Sequence, residues 1–208
     1  MKNILVAGAN GTTGKKIVQL LKSSQNFNPI AMVRKEEQVA QFKSENIDTV
    51  LGDLTKDITH TVKDIDKVIF AAGSGGKNVI EVDQEGAKRL ISAAKMANIN
   101  KFVMLSSMGA DNPEAAGDLQ AYMKAKQKAD DHLIKSGLNF AIVRPGALTN
   151  GDGIGKIMLK EKLHKQGEIS RADVAETLVL ALNDDAPNNR VFEIIEGETV
   201  IGEAMQQL

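Results

Sequence analysis

Short apolar runs rich in valine and isoleucine punctuate the chain at Ile4–Ala7, Pro29–Val33, Asp48–Leu51, Lys67–Ala71, Lys101–Leu105, Phe140–Val143 and Val191–Ile195. Each is apolar almost throughout, as strands covered on both faces of a parallel sheet tend to be. Between them apolar residues return at helical spacing, predicting helices at about 13–23, 36–44, 77–97, 120–136 and 171–183. Strand and helix in alternation imply right-handed crossovers and an α/β fold, a doubly wound parallel sheet in three αβα layers. In such a sheet ligands bind beyond the carboxyl ends of the strands, where the strand order reverses. The residues to inspect are therefore those that follow each apolar run.

The first run is followed by GANGTTG, which sets Gly8, Gly11 and Gly14 at intervals of three before the next helix. One glycine permits a tight turn, one removes a side chain facing a diphosphate, and one lets helix pack on strand. The helix start then offers free N–H groups and a partial positive charge to phosphate. Asn10, Thr12 and Thr13 add polar side chains to the same loop. This is the dinucleotide-binding arrangement of a Rossmann fold, although loops also use glycine with no ligand at all. The second run ends in Arg34-Lys35, where an NAD-preferring protein would carry an acid for the ribose 2′-hydroxyl. A cation there suits a 2′-phosphate, so NADP(H) is expected over NAD(H), with Arg34 as its partner; the alternative is that Arg34 and Lys35 only start a solvated helix with Glu36 and Glu37. After the third run Asp53 and Leu54 either contact the adenine or form a turn. After the fourth, Ala71, Ala72 and Gly73 either let ribose and nicotinamide lie against backbone or compose a plain loop.

The chain has 208 residues and no Pro/Gly/Ser-rich linker, so one domain is expected over 1–208, with a small substrate region at about 145–208. A net charge of −1 gives no basic field for nucleic acid. No run approaches a membrane span, no leader is read, and the absence of cysteine suits a reducing cytoplasm. His60, His132 and His164 have no metal-ligand spacing, and no metal is expected. Monomer and homodimer are both open.

The fifth run ends in Ser106-Ser107, and the helix at 120–136 carries Tyr122 and Lys126 four residues apart on one face. A lysine there can tune a phenol that gives or takes a proton while a serine orients a substrate oxygen. The bland alternative is a helix with a lysine-rich surface at Lys124, Lys126 and Lys128. The basic stretch 155–165 either lines the path of an anionic substrate or is a solvated charged segment. Ser170 reads as the cap of the last helix, with Asp173 in its first turn.

Taken together, GANGTTG (8–14), Val33-Arg34, GDLT (52–55), VIFAAGS (68–74), VDQEGAKRLISAA (82–94), KFVMLSS (101–107), YMKAK (122–126), SGLNFAIVRPGALT (136–149) and SRADVAE (170–176) resemble an atypical short-chain dehydrogenase/reductase of the NAD(P)H-binding, NmrA-like kind, related to epimerases and dehydratases. The resemblance covers nearly the whole chain. It implies that Tyr122 is the acid/base, that Lys126 binds the nicotinamide ribose and tunes the tyrosine, and that Ser107, rather than Ser106, holds the substrate oxygen. The implied activity is NADP(H)-dependent oxidoreduction or epimerisation of a small carbonyl or alcohol substrate. The same family includes proteins that bind NADP(H) without turnover and act as redox sensors, which is the alternative.

Overall fold

The computed structural model describes residues 1–208. Seven parallel strands form the body of the sheet: β1 (Lys2–Ala7), β2 (Phe27–Val33), β3 (Asp48–Leu51), β4 (Lys67–Phe70), β5 (Lys101–Leu105), β6 (Phe140–Pro145) and β10 (Arg190–Glu196). Two further strands, β8 (Lys156–Lys160) and β11 (Thr199–Val200), extend it, with β8 antiparallel to both neighbours. The order is β11-β8-β10-β6-β5-β4-β1-β2-β3. A separate two-stranded ribbon pairs β7 (Ala147–Thr149) with β9 (Glu168–Ser170). Within residues 145–208, β8, β10 and β11 extend the main sheet, while β7 and β9 form the ribbon.

Alternation along β1 shows why both faces must be covered. Ile4 and Val6 join one buried cluster with Ile17, Val18 and Leu21 of α1 (Thr12–Lys22), Phe42 of α2 (Glu36–Ser44) and Val174 and Leu178 of α5 (Arg171–Leu180). Leu5 and Ala7 join the other, with Leu90 and Ile91 of α3 (Ala87–Met96) and Ala129 and Leu133 of α4 (Gln120–Lys135). The period of two divides the core into the two outer layers of the sandwich. A last short helix, α6 (Ile201–Met205), packs on the first of these.

The helix expected at 77–97 is in two parts. Val79–Gly86 is wound as a π-helix before the chain tightens into α3. The basic stretch at 155–165 is likewise more ordered than a solvated segment: its first half is β8, with Ile157 fully buried.

From β1 the chain moves outward through β2 and β3, then returns to form β4 on the other side of β1. The order reverses there, so a crevice opens beyond the carboxyl ends of β1 and β4. At the opposite, amino ends of the strands lie two buried lysines. Lys67 and Lys101 are register partners on β4 and β5, and both reach the segment after α5. Lys67 donates to the Leu182 carbonyl and pairs with Asp184 at 2.6 Å, while Lys101 donates to the Ala186 carbonyl at 2.9 Å. Lys2 also pairs with Asp184.

Candidate cofactor and active site

Gly8 leaves β1 with φ +87°, a conformation that side chains disfavour. A Cβ there would lie 2.6 Å from the Ala72 backbone, so the turn after β1 and the segment after β4 touch main chain to main chain. Gly14 has the complementary task. A Cβ on it would come within 2.0 Å of the Gly8 carbonyl oxygen, so glycine lets α1 close onto the turn. Gly11 caps α1 and contributes no side-chain hydrogen bond. The first-turn amides of Thr12, Thr13 and Gly14 accordingly keep donors for an external acceptor. Asn10 and Thr12 are exposed beside them, and Thr13 is buried.

Arg34 follows β2 and is exposed, its own N–H donating to Gln38 Oε1 at 2.9 Å. Lys35 instead pairs with Glu37 at 3.1 Å. Asp53 accepts from the Thr55 N–H (2.9 Å) and hydroxyl (2.8 Å). Those bonds, with a smaller pull from Arg34, hold its carboxyl below the usual carboxylate range against the effect of burial. Leu54 is buried in the core against the start of α3, where a Cβ on Gly86 would meet it at 2.8 Å. Ala71 is half-buried, Ala72 buried and Gly73 exposed, all beyond β4.

The face of α4 supplies the second half of the crevice. Tyr122, Lys126 and Asp130 are spaced four apart, so they stack along one side of the helix. Lys126 is buried; its Nζ donates to the Leu105 carbonyl at the end of β5 (3.3 Å) and lies 5.6 Å from the Tyr122 ring centre. Ser106 and Ser107, the next two residues, part company. Ser106 is buried and donates to Asp130 Oδ2 at 2.9 Å, whereas the half-buried Ser107 makes only a 3.4 Å contact with the Met108 carbonyl. The geometry brings Ser107, Tyr122 and Lys126 to the carboxyl end of β5.

Three residues around this face were not singled out by sequence, or were left without a partner. Arg144, near the carboxyl end of β6, donates from Nε (3.0 Å) and Nη2 (2.9 Å) to Asp130 Oδ2. Burial pushes the Asp130 carboxyl above its usual range, and Arg144 and Ser106 pull against that rise. Asp83, in the π-helical segment, is wholly buried. The network continues outward: Lys162 Nζ lies 2.6 Å from Asp111 and 3.0 Å from the buried Glu193. Burial opposes the charge on Lys162, but the two carboxylates outweigh it and raise its pKa.

Uncapped helix amides at one end and a tyrosine–lysine pair at the other form a candidate nucleotide site beside a candidate reaction site. Comparison with known proteins bears on the first of these. The NAD(P)H-binding family model matches residues 8–185. The chain belongs to the NAD(P)H-binding family. It is 38% identical to the sugar epimerase YhfK of Bacillus subtilis (strain 168), itself uncharacterized, over 99% of both chains. Among solved structures, a Bacillus halodurans protein provisionally named an NAD-dependent epimerase/dehydratase superposes with a TM-score of 0.95 at 34% identity, covering 100% of both chains. The oxidoreductase ylbE of Lactococcus lactis gives 0.89 at 30%, covering 99% of this chain and 96% of its own. The expected sheet, a Rossmann-like fold with helices on both faces, is the fold these neighbours share. No helix is long and apolar enough to cross a membrane.

Proposed function

We propose that this family member is an NADP(H)-dependent oxidoreductase or epimerase-type enzyme acting on a small carbonyl or alcohol substrate. The observation that carries the reading is the Tyr122–Lys126 pair tethered through Leu105 to the end of β5, beside a serine whose hydroxyl has only a weak contact. The residues fit a pyridine dinucleotide. The first-turn amides of α1 would grip the diphosphate, Arg34 would take the 2′-phosphate, and Lys126 would hold the nicotinamide ribose hydroxyls. A bound nicotinamide supplies or accepts the hydride. Tyr122 then gives its hydroxyl proton to the substrate oxygen as the carbon is reduced, or takes it back in the reverse direction, and Ser107 holds that oxygen in line.

General acid–base groups contribute about a hundredfold to ten-thousandfold to rate, so Tyr122→Phe should lower turnover by that factor. NADPH affinity measured by fluorescence titration should be nearly unchanged. A variant as active as the parent refutes the assignment. A parent that binds NADPH tightly yet oxidises it with no member of a panel of quinones, aldehydes and flavins points to the redox-sensor alternative.

A further inference from the structure

Lys126 is a buried ammonium, and such a group needs a counter-charge close by. Of the two carboxylates beside it, Asp130 has its Oδ2 engaged by Arg144 and Ser106, and its Oδ1, like Asp83 Oδ1, has no hydrogen-bond partner, but only Asp83 comes within ion-pair distance of Lys126 Nζ. Asp83 is differently placed. Its side chain is 0% exposed, its Oδ1 lies 3.9 Å from Lys126 Nζ, and that oxygen has no hydrogen-bond partner. Its Oδ2 accepts the Ser74 N–H at 3.0 Å, tying down the loop that follows β4. Gly73 borders the same oxygen, at a distance where a Cβ would sit 3.3 Å from Oδ1. Asp83 occupies this spot on a π-helical segment, a form that is rare and concentrated at functional sites. Orphaned acceptor, buried cation and anchored loop converge on the nicotinamide end of the crevice.

Resting on the reading of Lys126 as the ribose-binding lysine, we infer that Asp83 is a positioning residue, the counter-ion that aims Lys126 at the nicotinamide ribose and joins the 73–78 loop to α4. The gap at Oδ1 is an ion-pair separation, wider than a hydrogen bond. Contacts of this kind often tighten once a site is loaded.

The test uses the full chain with Asp83→Asn, Lys126→Met and the double variant, titrated with NADPH and with adenosine 2′,5′-bisphosphate, which lacks the nicotinamide ribose. Charge-assisted contacts at one locus imply about a tenfold loss of NADPH affinity in each single variant, and no further loss in the double. Affinity for the bisphosphate should be unaltered throughout, which a general loss of structure would not spare. Asp83→Asn binding NADPH like the parent, or single losses that multiply in the double, overturns the inference. If Asp83→Asn is too unstable to titrate, urea unfolding decides. The double variant, with neither charge buried, should have a higher midpoint than Asp83→Asn, and a midpoint no higher overturns the pairing. Failure of the parent to bind either nicotinamide nucleotide refutes the functional reading instead and leaves the urea comparison standing.

Discussion

Arg34 and Asp53 follow adjacent strands, and part of the depression of the Asp53 pKa comes from the Arg34 charge. With Asp53 engaged by Thr55, the guanidinium remains available to a phosphate. Loss of a charged hydrogen bond costs about 1.5–3 kcal/mol, so Arg34→Ser should weaken NADPH about tenfold to a hundredfold. NADH, which has no 2′-phosphate, should bind the variant like the parent in the same calorimetric titration; equal losses for both nucleotides exclude the assigned contact. At this scale sequence can nominate only residues that announce themselves by spacing or by their place after a strand, as Gly8, Gly14, Arg34, Tyr122 and Lys126 do. It could not pair Arg144 with Asp130, because strand and helix meet only in the folded chain. A signal was nonetheless present. Asp130 is four residues beyond Lys126 on the same helical face, and Asp83 stands on a stripe with the buried Gly86, Ala87 and Leu90. An acid on a buried stripe needs a partner.

The amino end of α5 shows how one side chain can fix an element and a loop together. Ser170 accepts from the Asp173 N–H at 3.0 Å as the helix cap, and Asp173 Oδ1 and Oδ2 accept from Gly155 (2.9 Å) and Ile154 (3.2 Å). Asp173→Ala removes two bonds to the part-buried 154–155 backbone at about 0.5–1.5 kcal/mol each and one to the Ser170 hydroxyl, whereas Ser170→Ala removes one cap at about 1 kcal/mol. In a chain of this size each kcal/mol moves Tm by about 2–4 °C, so calorimetry should find Asp173→Ala the more damaging by several degrees. Equal shifts would mean that the 154–155 contacts contribute nothing. The elements visible in the sequence are those with a period to show. Six of the seven parallel strands read as apolar runs because both faces are covered; β3, at the edge of the sheet, has no buried residue and owes its place to pairing with β2. β7, β9 and β11 are too short to carry a period, and β8 places lysines at both ends of Ile157-Met158-Leu159. The π-helix is hidden for another reason: over Val79–Gly86 its apolar spacing differs too little from that of an α-helix.

Across the whole molecule, Lys101 at the amino end of β5 contributes a response to pH. Burial, with Lys67 as neighbour, depresses the Lys101 pKa from 10.5 to about 8. Between about pH 8 and 10.5 the unfolded chain therefore binds more protons than the folded one, so stability rises with pH through that window. The cost of the buried charge is fully present below pH 8. The urea midpoint of the parent should climb from pH 7.5 to 9.5, while Lys101→Met should show a flatter profile; parallel profiles would exclude Lys101 as the source. Asp184 works in the opposite direction. Its bonds to Lys2 and Lys67 lower its pKa from 3.8 to about 2, so the stability it adds is present above about pH 4 and is lost as acid approaches pH 2.

β5 carries Lys101 at one end and, at the other, the Leu105 carbonyl that receives Lys126. They are four steps of extended chain apart, about 13 Å at 3.3 Å per step. The foot of this strand bears on how firmly the molecule stays folded, and its tip on where the Lys126 ammonium stands. Substitutions at the foot can therefore loosen or tighten the protein while the nucleotide crevice keeps its shape, so resilience and chemistry can be varied independently along a single strand.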